Sequence, residues 1–152
     1  MVVVAIVAIL AAIALSQYQD YVIRSQISEG MSLADAAQIA VADFHSRTGH
    51  FPSGACLGGN ESVGLASPAS ISGSYVASVS VAGEGCAATL DAGSVVIEFS
   101  SNAPQKANAA INNAGLLFEP TANAGSISWQ CKRFLIGGGV VLKANWVPSS
   151  CR

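Results

Sequence analysis

The chain has 152 residues, one domain's length and enough to bury a real core. Hydrophobic residues make up 51% and charged residues only 11%, so much of the surface must be small, weakly polar groups or be covered by other protein. The net charge of −2 weighs against bulk electrostatic attraction to nucleic acid.

Met1 to Leu15 (MVVVAIVAILAAIAL) carries no polar side chain. Fifteen helical residues reach about 22 Å, short of the roughly 20 residues of a full membrane span. The run has no basic leader and no clear cleavage site, so it reads poorly as a secretory signal. A core helix normally keeps a polar stripe, and this one is apolar all round. Such a helix must be surrounded by lipid or by other protein. Two tyrosines, Tyr18 and Tyr21, follow where a bilayer interface would sit.

The helix continues past this point as an amphipathic one. Ile23, Ile27, Ala34, Ala37, Val41 and Phe44 fall within about 60° of one line on a helical wheel. Gly30 costs about 1 kcal/mol against Ala without breaking the run. Gly49 and then Pro52 supply the stop. One helix of nearly fifty residues is predicted. It divides the chain into an apolar segment, residues 1–24, and a globular part, residues 25–152.

In the globular part, residues 49–73 are rich in Gly, Ser and Pro and read as a long loop. Strand candidates follow at Tyr75–Val81, Ala87–Leu90, Val95–Ser100, Gly115–Glu119 and Ser126–Lys132. Asp91–Gly93 is a hairpin-turn signal between the second and third. Ile127, Trp129 and Cys131 share one face of the last strand. Phe134–Ile136 and Val140–Leu142 resemble a small hairpin turning on Gly137–Gly139. The fold class is therefore α+β: a long N-terminal helix packed on an antiparallel sheet of about four strands, residues 74–131.

The four cysteines contain no C-x-x-C pair, which excludes a zinc knuckle or thioredoxin-type site. An even count implies two disulfides and an oxidising compartment. Of three pairings, Cys56–Cys86 and Cys131–Cys151 are favoured because each closes a segment rich in loop residues. The second bounds a stiff C-terminal loop, residues 131–151, suited to recognition. Charge is unevenly spread. Residues 1–119 hold all nine acids and three of the seven bases, whereas residues 120–152 hold Lys132, Arg133, Lys143 and Arg152 and no acid. That basic pole fits an acidic face of a neighbouring copy or an anionic external ligand.

No phosphate loop, nucleophile elbow or zinc-protease motif occurs. His45 and His50 are explained by their helix-end and loop positions, and Glu98 and Glu119 by surface or edge strand positions. No catalytic residue, cofactor or metal is expected. Asn60-Glu-Ser62 matches the N-glycosylation pattern, a weak signal.

The segment MVVVAIVAILAAIALSQYQDYVIRSQ resembles the N-terminal region of type IV major pilins of the PilA-like, type IVa kind. The resemblance is strong to about Phe44. It returns where Ser128-Trp129-Gln130-Cys131 leads into the disulfide-closed C-terminal loop. It implies the type IV pilin fold and a structural subunit held in the inner membrane by its helix. Assembly machinery would then extract it into a helical homopolymer, a surface pilus serving adhesion, twitching motility and DNA uptake. It implies that Val3, Val4, Ile6, Val7, Ile9, Leu10 and Ile13 line the filament core. It also implies that Lys132, Arg133, Lys143 and Trp146 lie on the filament surface, towards a host receptor or DNA.

The family's mature chain begins with an N-methylated Phe and a short Glu-containing segment, and Met1 aligns several residues after that start. About six such residues would complete a membrane span. A family glycine is Ala8 here and a family proline is Ser16. Since Gly and Pro weaken helices by about 1 and 3 kcal/mol, Val2–Gln19 is expected to stay helical where many pili stretch this segment. A type II secretion pseudopilin and a helix-anchored secreted binding domain are the alternatives.

Overall fold

The computed structural model describes residues 1–86 and 90–152. Helix α1 runs Val2–Thr48, 47 residues without a break, as the absence of proline allows. Gly49 ends it in the left-handed conformation, with φ of 78° and its N–H donating to the His45 carbonyl at 2.8 Å. This is the backbone state that glycine adopts without strain.

Four antiparallel strands follow in the order of the sequence: β1 (Val76–Val81), β2 (Val95–Phe99), β3 (Ala114–Asn123) and β4 (Ser126–Leu135). Each pairs with the next, giving a meander with no crossover. The last β2–β3 partner is Val95↔Phe118, while β3–β4 pairing continues to Asn123↔Ser126. Beyond Phe118 the two strands therefore form an overhanging ribbon. Pro120 sits there, outside the part of β3 that β2 covers, where a missing ladder donor is tolerated.

The core lies between α1 and one face of the sheet. Ile23, Ile27, Ala34, Ala37 and Val41 of the helix pack on Val79, Val81, Val95, Ile97, Phe99, Leu116 and Phe118. These helix positions are the ones that the 3.6-residue period singles out, and Phe44 packs against the same cluster. Gly30 falls on the same face of the wheel and is buried against the sheet, but the period does not reveal how closely a ring approaches it. A methyl group added there would lie 2.7 Å from Phe99 Cζ. The outer face of the sheet holds a smaller apolar group of Ala82, Cys86, Leu90, Val96 and Leu117, flanked by Phe134 and Ile136.

Three strand expectations change. The candidate at Ala87–Leu90 falls mostly on residues 87–89, outside the described residues, and Leu90 lies in a bend. The turn at Asp91–Gly93 exists, with Ser94 N–H donating to the Asp91 carbonyl at 3.0 Å, but it belongs to the β1–β2 connection. In the C-terminal segment Phe134 and Leu135 continue β4, because Gly115 and Ala114 of β3 remain opposite them. The chain does turn at Gly137–Gly138, and Gly139 N–H donates to the Ile136 carbonyl at 2.8 Å. Val140–Leu142 finds no strand partner and forms no second arm.

Candidate assembly surface

The head buries no residue of the first five turns of α1. From Met1 to Gln19 every side chain is exposed, and the first buried residue is Ile23. Val3, Val4, Ile6, Val7, Ile9, Leu10 and Ile13 stand between 52% and 73% exposed. An apolar surface of this extent is stable in water only when lipid or protein covers it. By length and composition the helix also qualifies to cross a membrane, with a mean hydropathy of 2.1 in its most apolar 18-residue window.

The head, by contrast, covers the β1 edge of its sheet and ties down its loops. Both expected disulfides are formed, Cys56–Cys86 and Cys131–Cys151. The first fastens the loop of residues 49–73 beside the outer edge of β1. Asn60, fully buried, completes that fastening. Its amide nitrogen donates to the carbonyls of Val79 and Ala66, both at 3.0 Å, and its oxygen accepts from Val81 N–H at 2.7 Å. Gly59 N–H takes the Val81 carbonyl at 2.9 Å. The edge strand thus has its free backbone groups occupied by the loop, which prevents edge-to-edge pairing with another sheet. Asn60 is a structural hub that the sequence does not announce. With both amide atoms buried and in use, it does not serve the glycosylation pattern around it.

The C-terminal loop is tied to the helix. Trp146 Nε1–H donates to Asp20 Oδ1 at 2.7 Å, and Asn145 Nδ2 donates to Asp20 Oδ2 at 2.9 Å. Trp146, which the resemblance sets on the filament surface but whose indole by itself reads as loop-base packing, is only 6% exposed, lodged with Leu142, Val147 and Cys151 in the core. The correction has a plain cause: the indole is large and apolar, and Asp20 supplies the acceptor that its N–H needs when buried. Lys143 stays exposed, its ammonium 4.8 Å from the Trp146 ring centroid. Lys132 forms an ion pair with Glu119 of the adjacent strand, and Arg133 Nη1 donates to the Leu142 carbonyl at 3.0 Å. Three of the four basic residues of the tail therefore have a partner inside their own chain, Lys143 only through the Trp146 ring. His45 and His50 pack against the rings of Phe51 and Phe44.

A long helix with a bare apolar third, a four-stranded antiparallel sheet and a disulfide-closed C-terminal loop together define a class of α+β proteins whose helix needs lipid or other protein to cover it. A family profile described as pilin (bacterial filament) matches residues 23–152. The chain is 38% identical to the fimbrial protein EcpC of Eikenella corrodens, over all of this chain and 85% of that one. It is 37% identical to a fimbrial protein of Neisseria meningitidis, over all of this chain and 89% of that one. A type IV major pilin, PilE, of Neisseria gonorrhoeae is 36% identical over 86% of this chain and 68% of its own. The chain belongs to the pilin family.

Proposed function

We propose that this chain is the major structural subunit of a type IV pilus, with residues 1–24 as the filament-core helix and residues 25–152 as the head displayed outside. The observation that carries the reading is the contrast between the two parts: a wholly exposed apolar helix and a head whose β1 edge is covered by its own loop and whose C-terminal loop is tied to the helix. Packing the helices of several subunits together removes that surface from water at about 25 cal/mol per Å², well beyond the ordering cost. Lipid is nearly as apolar as the filament interior. The same helix can therefore wait in the inner membrane, enter the filament through separate assembly machinery, and return.

In this reading Val3, Val4, Ile6, Val7, Ile9, Leu10 and Ile13 meet neighbouring helices. The loop of residues 49–73 and the C-terminal loop face outwards, where adhesion, twitching motility and DNA uptake would be served. The subunit itself performs no catalysis. Cryo-electron microscopy of material sheared from cells tests the proposal. Thin filaments with a helical-bundle core support it, and Ile9→Asp should abolish them while leaving the head folded. A protein that stays monomeric, in membrane or in solution, would refute it in favour of a helix-anchored binding domain. Short pistons formed only with a secretion apparatus would favour the pseudopilin.

A further inference from the structure

We propose that the end of the head from which the bare helix emerges is a membrane-facing collar that rests on an anionic bilayer surface before assembly. The inference rests on the membrane-held state proposed above and concerns a different part of the chain from the helix. The C-terminal loop folds back beside the helix exit. A cleft there is lined by Ser16, Gln19 and Asp20 of α1 and by Val140, Val141 and Lys143 of the loop. Val140 and Val141 are 43% and 52% exposed on a loop that the Gly137–Gly138 turn carries away from the sheet.

Tyr18 and Tyr21, at 66% and 72% exposed, stand on the helix at the same level, where amphipathic rings favour the headgroup region. Below Tyr18 every residue down to Met1 is exposed, and all but Ser16 and Gln17 are apolar. The exposed valines therefore stand beside the upper end of the surface that lipid would cover, at the level of Ser16 and Gln19. The opposite end of the head is the β3–β4 tip, where Asn123 and Ser126 lie beside Ala42 and His45 near the helix C-terminus.

Charge selects the kind of bilayer. Arg24, one turn above Asp20, and Lys143 are both exposed, and neither forms an ion pair among the described residues. The nearby acid, Asp20, has both carboxylate oxygens occupied by Trp146 and Asn145. Those donors are neutral, so Asp20 keeps its formal charge, and Arg24, Lys143 and Asp20 together leave the rim around the helix exit with a net charge of +1 and apolar tips. That combination suits anionic phospholipid: the valines enter the interface and the cations stay at the phosphates. Duplex DNA would use the cations but would leave the valines in water.

The test is hydrogen–deuterium exchange on the full chain in nanodiscs of phosphatidylcholine, alone or mixed with phosphatidylglycerol. Amides of residues 138–144 should exchange at least about fivefold more slowly in the anionic discs, the effect of one cation near such a surface. Those of residues 122–126 should be unchanged. Arg24→Gln with Lys143→Gln should erase the difference between the discs, and Val140→Ser with Val141→Ser should weaken the protection in both. Equal exchange of residues 138–144 in the two discs overturns the collar, as does protection that arises only on adding duplex DNA or only in assembled filaments. A flotation assay separates the two levels. A chain that fails to float with vesicles refutes the membrane-held state and the collar together. A chain that floats without lipid-dependent protection refutes the collar alone.

Discussion

Helix propensity and packing make opposite predictions at Gly30, and their balance can be measured. On propensity alone, Gly30→Ala in the middle of α1 should stabilise by about 1 kcal/mol. The structure opposes this. The added Cβ would lie 2.7 and 2.9 Å from Phe99 Cζ and Cε1, and 3.2 Å from Ile97 Cγ2. Phe99 and Ile97 are both fully buried, so neither has free space to swing into. Overpacking of this kind costs about 1–3 kcal/mol, so the net effect is a loss of about 1 kcal/mol. For a domain of this size that lowers the melting temperature by about 2–4 °C. Shortening the opposing side chain should reverse the sign: in a Phe99→Leu background, Gly30→Ala should raise the melting temperature by a similar amount. Near-UV circular dichroism of the full chain in mild detergent follows the head without interference from the lipid-like helix. The same shift from Gly30→Ala in both backgrounds would show that the Phe99 contact does not matter, and the reasoning would fail.

Four further outcomes are expected. Asn60→Ala strips partners from the Val81 N–H and the Val79 carbonyl at the edge of β1 and should cost about 3 kcal/mol. A denaturation midpoint within error of wild type would contradict that. Asp20→Ala removes the acceptor of both Trp146 and Asn145. A red-shifted tryptophan emission should follow, with faster amide exchange confined to the C-terminal loop. Cys131→Ser with Cys151→Ser opens a loop spanning 20 positions and should destabilise by about 3 kcal/mol. Unchanged thermal stability would place that loop's order elsewhere. Finally, Ala8 and Ser16 should keep Val2–Gln19 helical after polymerisation, and filament density with extended backbone between them would refute this.

What was legible in the sequence followed from local geometry. The buried face of α1 obeys the 3.6-residue period, Gly49 and Pro52 mark its end, and alternation located three of the four strands to within a few residues. The cysteine pairs were legible too, since each closes a loop-rich segment. Strand ends were less so: Phe134 and Leu135 looked like a new hairpin arm, and only the β3 partners opposite them make them the end of β4. The same limit hid the partner of Trp146, Asp20, which lies 126 residues away, and the role of Asn60, whose partners on β1 lie 19 and 21 residues on. It also hid the worth of Gly30, which reads as a weak point until Phe99 is seen against it. The sequence by itself determined that a bare apolar helix would precede a disulfide-bearing α+β head, because hydrophobic period and backbone punctuation are properties of neighbouring residues. Only the tertiary structure decided which polar groups are buried and which small residue admits a ring, because burial and contact depend on the elements that come to lie opposite.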